Sequence, residues 1–167
     1  MRLFLVRHAH AGSRSAGSHD LYRPLSDDGH RRAQELSTVL APTRPNRILS
    51  SPATRCTQTV APLAAALGME IEEQPDLWEG STIAHVMALL TGQVDATVVA
   101  CSHGDVIPEV VEQIVRDGAR IEGRGCEKGS IWCAEHDGER WLTARYVASS
   151  ATELPPPTDG QPEASAS

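Results

Sequence analysis

The stretch Arg2-Leu-Phe-Leu-Val-Arg7-His8 decides the fold class of this 167-residue chain. Its central residues form a short, uninterrupted apolar run that ends abruptly in polar side chains. Such a run is typical of a strand that is buried on both faces of a parallel sheet. The sequence therefore predicts a parallel strand over 2–7, with Arg7 and His8 at its carboxyl end.

The same pattern of an apolar run followed by polar residues recurs along the chain. A second short strand is predicted at 47–50, before Ser51-Pro52, and a stronger one at 96–101, before Ser102-His103-Gly104. A further strand is predicted at 69–72. The segments 130–135 and 140–147 alternate well enough to form a closing hairpin around Asp137-Gly138.

Helices are predicted between these strands, from the spacing of apolar residues and from cap signals. The first is expected after the N-cap Ser26 and should stop before Pro42. The others are expected from Pro52 in the first turn to about Leu67 with Gly68 as C-cap, at 83–90 before Gly92, and at about 107–116. The alternation of strands and helices predicts a three-layer α/β/α sandwich with an open, mostly parallel sheet.

The length and composition predict one domain over 1–150 and a disordered tail over 151–167. Hydrophobic residues make up 40% of the chain, which suits a globular core. From Leu154 onward the sequence is Pro-Pro-Pro followed by small and polar residues, which offer little apolar surface to order the tail.

The formal net charge of −7 argues against binding to nucleic-acid polymers, which requires a basic surface. The apolar runs are too short to span a membrane, and the N-terminus lacks a signal-peptide layout. Four cysteines without zinc spacing are interpreted as reduced thiols. We expect a cytoplasmic protein, a monomer or weak dimer, that does not bind membranes.

Polar clusters that are far apart in the sequence should meet at one edge of the predicted sheet. Ligands of open α/β sheets bind outside the carboxyl ends of the strands, where Arg7-His8, the residues 51–55 and Ser102-His103-Gly104 are all expected. Arginine matches phosphate oxygens with a planar fork of donors. A neutral imidazole can attack phosphorus and form a covalent intermediate. The clusters therefore indicate a site for phosphoryl transfer.

These clusters also resemble the signatures of the histidine phosphatase superfamily, which includes the phosphoglycerate mutases. The similar segments are Leu5-Val-Arg-His-Ala9, Leu25-Ser-Asp-Asp-Gly29, Ser51-Pro-Ala-Thr-Arg-Cys-Thr-Gln-Thr59 and Ser102-His-Gly-Asp105. They occur in the family's order, and the resemblance covers about residues 2–147. It differs at Ala9, where glycine is more usual.

The resemblance implies roles for individual residues. His8 would be the nucleophile, and Arg7, Arg55, His103 and Gly104 would bind the phosphoryl group. Glu79 lies where the family places its general acid, although the motif around it is compressed, and Asp76 is the alternative. No metal or cofactor is expected.

Two narrower resemblances bear on the substrate. Arg23-Pro-Leu-Ser26 is similar to a segment of SixA-type phosphohistidine phosphatases whose arginine also contacts phosphate. The segments 7–14, 55–64, 106–108 and 128–130 resemble the phosphatase domain that is fused to some MutT-type Nudix hydrolases. The expected substrate is a phosphate monoester, nucleotide or similar small phosphorylated metabolite.

Other interpretations of the same residues stay open at this stage. The protein could be a phosphohistidine phosphatase that acts on a phosphoprotein, or a phosphate-binding module without activity. His8-Ala9-His10 also has the form of an H-x-H metal pair, although the nearby arginines would repel a cation. His10 could otherwise lie at the pocket edge or serve the structure, and Lys128 could either reach the substrate or lie in solvent.

Overall fold

Seven strands form one mixed sheet in the computed structural model, which describes residues 1–13, 19–93 and 96–158. The strands are β1 (Arg2–Arg7), β2 (Arg47–Ser50), β3 (Ile71–Glu73), β4 (Thr97–Ser102), β5 (Arg120–Glu122), β6 (Ile131–His136) and β7 (Trp141–Val147). Their order is β3-β2-β4-β1-β6-β7-β5. The pairs β3-β2, β2-β4, β4-β1 and β5-β7 are parallel, whereas β6 runs antiparallel to both β1 and β7.

The apolar run of β1 lies near the middle of the sheet, between β4 and β6. Alternate side chains point to opposite faces. Leu3 and Leu5 pack on one face, and Phe4 and Val6 pack on the other. All are at most 1% exposed, because each face of the sheet is covered by helices.

Each face of the sheet carries two of the helices found in the described part of the chain. They are α1 (Asp27–Leu40), α2 (Thr54–Leu67), α3 (Ile83–Thr91) and α4 (Val106–Arg116). Helices α1 and α2 pack with Phe4 and Val6, and helices α3 and α4 pack with Leu3 and Leu5. The predicted three-layer α/β/α sandwich with a mostly parallel sheet is confirmed.

Two of the predicted boundaries shift around α2. The helix begins at Thr54, and Pro52 lies before it. Ser51 still donates its N–H to Cys101 O (2.9 Å), so the chain follows the sheet one residue beyond β2 before it turns. Strand β3 begins at Ile71 because Met69 N–H still bonds Ala64 O (2.9 Å) at the end of α2.

Part of the predicted tail has packing partners. Ala151 and Leu154 pack against the core on the α1–α2 face. The N–H of Thr158 donates to the buried carboxylate of Glu135 (2.9 Å). The residues 159–167 lie outside the described residues, so disorder stays a prediction for them. Within the described part of the chain, no helix combines the length and the apolar character needed to cross a membrane.

Candidate active site

The predicted polar clusters meet at the carboxyl ends of β1, β2 and β4. Arg7 pairs with Ser102 across β1 and β4, and the N–H of His8 donates to Ser102 O (3.0 Å). Ser51 continues β2 beside β4 in the same way. The sheet therefore places His8 and His103 together, and their ring centroids are 5.4 Å apart.

His8 is held in one tautomer at the centre of this site. Its Nδ1 donates to the carbonyl of Ala9 (2.8 Å), which leaves Nε2 with a free lone pair when the ring is neutral. Burial is the main cause that lowers the pKa of His8 to about 3, and the charges of Arg55 and Arg7 act in the same direction. The ring is therefore neutral at working pH.

Thr59 fixes the backbone directly after His8. Its hydroxyl accepts a hydrogen bond from Ala9 N–H (3.0 Å) and donates to Arg55 O (2.6 Å). The methyl group of Ala9 is fully buried and packs in a small cluster with Leu25 and Ala33. The family's more usual glycine is therefore not required here, and the loop after β1 is tied to α2.

Arg55 is buried completely, in contrast to a typical helix arginine. Its Nη1 donates to Asp20 O (2.8 Å), and its Nη2 lies 2.8 Å from Glu79 Oε1 and 3.0 Å from Asp20 Oδ2. The guanidinium also lies over the ring of Trp78, 5.8 Å from its centroid. A buried charge of this kind requires close partners, and the two carboxylates supply them.

Both ring nitrogens of the buried His103 have polar neighbours. Nε2 lies 2.8 Å from Ser51 Oγ, and Nδ1 lies 3.3 Å from Glu79 Oε1 and 3.3 Å from Arg55 Nη2. The ring packs edge-on against Trp78 at 5.5 Å. His103 is therefore fixed in place between the ends of β2 and β4.

The structure separates the two candidates for the general acid. One oxygen of Glu79 contacts both Arg55 and His103, and the side chain is 35% exposed. Asp76 is 50% exposed and lies 3.9 Å from His85 Nδ1 on the outer side of the same segment. Gly80 N–H donates to Asp105 Oδ2 (2.8 Å), which ties the Glu79 segment to the loop after β4. Glu79 is the carboxylate that faces the site.

Arg7 lies between two backbone segments. Its Nη1 donates to Cys126 O. On its other side, a Cβ added at Gly104 would lie 2.7 Å from Arg7 Cζ and Nη2. Gly104 therefore contributes to the site by leaving space for this guanidinium.

Arg23 reaches the site through Asp20, a residue that the sequence did not single out. Arg23 Nε donates to Asp20 Oδ1 (2.8 Å), and its Nη1 donates to Gly12 O (3.2 Å). Asp20 also binds Arg55, so one carboxylate positions two arginines. Asp20 follows a Gly- and Ser-rich segment and lies in no recognised motif. The one sequence signal for its role was its position as an acid shortly before the Arg-Pro-Leu-Ser segment.

His10 serves the start of α1. Its Nδ1 lies 3.0 Å from Ser26 Oγ, which also accepts the N–H of Gly29 (3.2 Å) as the N-cap of α1. A Cβ at Gly29 would lie 2.0 Å from His10 O, which explains the glycine of this segment. Among the described residues, no group of three or more His, Cys, Asp or Glu side chains could hold a metal ion.

The arrangement as a whole suits the binding of a phosphoryl group. A neutral histidine lies near the charges of two arginines and beside a second histidine, and a partly exposed carboxylate contacts the same group. Charge-assisted bonds from arginine stabilise the equatorial oxygens of a transferring phosphoryl group. The carboxylate is placed to exchange a proton with the leaving oxygen or with water.

Comparison with known proteins gives the same family. Residues 3–82 match the model of the histidine phosphatase superfamily (branch 1). The chain is 33% identical over 154 residues to an 8-oxo-(d)GTP phosphatase of Mycolicibacterium smegmatis, a match that covers 87% of this chain and 48% of that protein. The chain thus spans about half the length of the curated relative that it matches.

Solved structures of SixA proteins share the fold. SixA from Agrobacterium tumefaciens superposes with a TM-score of 0.72 at 22% identity, over 88% of this chain and 97% of that one. The protein histidine phosphatase SixA complexed with tungstate gives a TM-score of 0.74 at 22% identity, over 89% and 97%. With the signature residues assembled at one sheet edge and the family model matched, the chain belongs to the histidine phosphatase superfamily.

Proposed function

We propose that the protein is a metal-independent phosphatase that hydrolyses a small phosphorylated metabolite or nucleotide through a phosphohistidine on His8. The observation that carries this proposal is the state of His8: the bond from Nδ1 to Ala9 O and the lowered pKa of about 3 leave Nε2 unprotonated beside Arg7 and Arg55.

In the first step, Nε2 of His8 attacks phosphorus and the bond to the leaving oxygen breaks. The Arg7 and Arg55 guanidiniums and His103 would stabilise the charge on the equatorial oxygens. Glu79 would donate a proton to the leaving oxygen, which needs one when the departing group is an alkoxide. The product of this step is the phosphohistidine and a free alcohol or nucleoside.

In the second step, water attacks the phosphohistidine and inorganic phosphate leaves. Glu79, now a carboxylate, would accept the proton from that water. Arg55 touches Glu79 directly (2.8 Å) and can hold the carboxylate in place while the phosphoryl group is exchanged. One carboxylate therefore serves both half-reactions in opposite directions.

The substrate class is supported by the nucleotide phosphatase relative and by the resemblance of segments 7–14, 55–64, 106–108 and 128–130 to a Nudix-fused phosphatase domain. A phosphohistidine phosphoprotein is the alternative substrate, and a phosphate-binding module without turnover is the alternative function. We further propose a cytoplasmic location, supported by the free thiols of Cys56, Cys101, Cys126 and Cys133, and a monomer or weak dimer.

The experiment compares wild type, His8→Ala and the surface control His30→Ala. Each is incubated with nucleotides, sugar phosphates, nitrophenyl phosphate and a phosphohistidine protein, with and without a chelator, and phosphate release is measured. Quenching in alkaline denaturant and mass spectrometry under alkaline conditions detect the phosphoenzyme, and acid treatment of the same sample tests its lability.

We expect wild type and His30→Ala to turn over at least one small phosphate ester with chelator present and to form an acid-labile phosphoenzyme. His8→Ala should lose about 10³-fold or more in kcat without unfolding. Substantial turnover by His8→Ala would refute the covalent mechanism, and loss of activity on chelation, restored by one divalent ion, would refute metal independence. Turnover of the phosphoprotein alone would establish the alternative substrate.

A further inference from the structure

A turn over residues 126–130 is fastened to the end of β1. Gly129 N–H donates to Arg7 O (3.0 Å) and lies 3.2 Å from His8 O, and Arg7 N–H donates to Ser130 O (3.1 Å). Gly129 has a positive φ of 76°, and a Cβ there would lie 2.6 Å from Arg32 Cγ. The backbone on either side of the turn is therefore fixed relative to the nucleophile, and Lys128 is placed at the edge of the site.

Lys128 lies in this turn, close to several positive charges. Burial, and then the charges of Arg7, Arg23 and Arg55, lower the pKa of Lys128. The adjacent carboxylate of Glu127 accepts a hydrogen bond from Ser149 Oγ (2.9 Å). No carboxylate of the described residues forms an ion pair with Lys128. The residue is exposed overall, so only part of its side chain is removed from solvent.

The arginines near Lys128 differ from it because each already has an acceptor, which for Arg7 is the carbonyl of Cys126. Arg55 binds Glu79 and Asp20, and Arg23 binds Asp20. A lysine that lies among like charges and has no carboxylate partner is stabilised most by an anion from outside the protein. One transferred phosphoryl group already has Arg7, Arg55 and His103 as partners, so Lys128 is available for a second one.

We propose that Lys128 binds a second phosphoryl group of the substrate, so that the site takes diphosphate esters in preference to monophosphate esters. This inference rests on the proposed function and deepens it. The terminal phosphorus bonds to His8 Nε2 while its bond to the bridging oxygen breaks. The bridging oxygen keeps the electron pair and leaves on the inner phosphate, which Lys128 neutralises. Water then cleaves the P–N bond and releases inorganic phosphate.

The test measures binding without turnover, with methylphosphonate and methylenediphosphonate as probes with one and two phosphoryl-like groups. Titration calorimetry gives their affinities for wild type, Lys128→Met, Lys128→Arg and the control Arg124→Met. Arg124 is an exposed cation of the preceding segment, so its removal changes the net charge equally. Thermal melting verifies that each variant folds.

Wild type, Lys128→Arg and Arg124→Met should bind methylenediphosphonate about tenfold or more tightly than methylphosphonate. Lys128→Met should lose most of this difference and keep its affinity for methylphosphonate. An equal loss for both probes, no loss for either, or no preference in wild type would overturn the role of Lys128. The proposed function fails separately, if wild type forms no phosphohistidine.

Discussion

The guanidinium of Arg7 occupies the space that a side chain at Gly104 would need. A Cβ at Gly104 would lie 2.7 Å from Arg7 Cζ. The atoms that would have to move belong to the far end of a flexible side chain, so the protein can accommodate the change by displacing the guanidinium. Backbone packing around β4 would be left intact.

We therefore expect Gly104→Ala to weaken function much more than stability. Displacing one charge-assisted contact to the phosphoryl group should lower kcat/KM by about 10- to 100-fold, with the free energy of unfolding changed by less than about 1 kcal/mol. Kinetics and denaturant titration measure the two effects. The control Gly92→Ala lies at the end of α3 with a φ of −66° and should leave kcat/KM unchanged. Wild-type activity in Gly104→Ala would show that Arg7 does not contact the substrate.

Replacing Glu79 should slow turnover most for substrates whose leaving groups need a proton. General acid catalysis typically contributes about 10²–10⁴-fold, so Glu79→Gln should lose about that factor on an alkyl phosphate. The loss should shrink on nitrophenyl phosphate, whose leaving group needs little protonation. Steady-state rates on both substrates provide the measurement.

Asp76→Asn is the matched control, because Asp76 is a carboxylate on the same segment that faces His85. It should retain wild-type rates on both substrates. A large loss in Asp76→Asn with a normal Glu79→Gln would assign proton transfer to Asp76.

Burial of His8 should make the protein less stable in acid. The folded pKa is lowered from 6.5 to about 3, so below pH 6.5 the unfolded chain binds a proton that the folded protein does not. Stability is therefore lost as the pH falls from 6.5 toward 3, by at most about 1.4 kcal/mol per pH unit. Above pH 6.5 this contribution does not change with pH.

The test compares unfolding free energies of wild type, His8→Ala and His30→Ala at about pH 7 and pH 4.5. The acid-induced loss should be smaller in His8→Ala than in wild type by about 2 kcal/mol. His30 is exposed on α1, and its removal should leave the loss as in wild type. Equal losses in wild type and His8→Ala would show that His8 is not held neutral by its environment.

Two truncations should show that residues 151–158 stabilise the fold and that the residues after Thr158 do not. Ending the chain after Thr158 should leave the melting temperature unchanged. Ending it after Ser150 removes Leu154 from the core surface and the Thr158 bond from Glu135, and should cost about 1–3 kcal/mol. Calorimetry measures both, and identical melting of the two truncated proteins would show that 151–158 adds nothing to stability.

The elements that the sequence predicted well are those with a strong apolar pattern. Strand β1 was predicted with its observed bounds, because a buried run marks it clearly. The start of helix α1 was predicted from its N-cap Ser26, and the helix ends at Leu40, shortly before the predicted limit at Pro42. Strand β5 was not predicted. It consists of three exposed residues at the sheet edge, Arg120–Glu122, and it forms by pairing with β7. Because it buries no side chains, its sequence shows no apolar pattern.

The site residues divide in a similar way. His8, Arg55 and His103 lie in recognisable segments, and the structure brings them together. Asp20 and Thr59 were not assigned a role, because they act by positioning Arg55 and Ala9 through contacts that only the folded chain creates. The choice between Glu79 and Asp76 depended on which side of a short turn faces the site. The turn is too short to show a repeating apolar pattern, so the sequence does not determine its orientation.

The bond between Thr158 and Glu135 has a practical use. Glu135 pairs with Arg2 at the start of β1, whereas the candidate site lies at the end of that strand. The last described residue is therefore anchored at the opposite end of the sheet from His8. A fluorescent label or a solid support coupled beyond Thr158 through a flexible spacer should leave the pocket open, so that immobilised protein can be titrated with phosphate compounds directly.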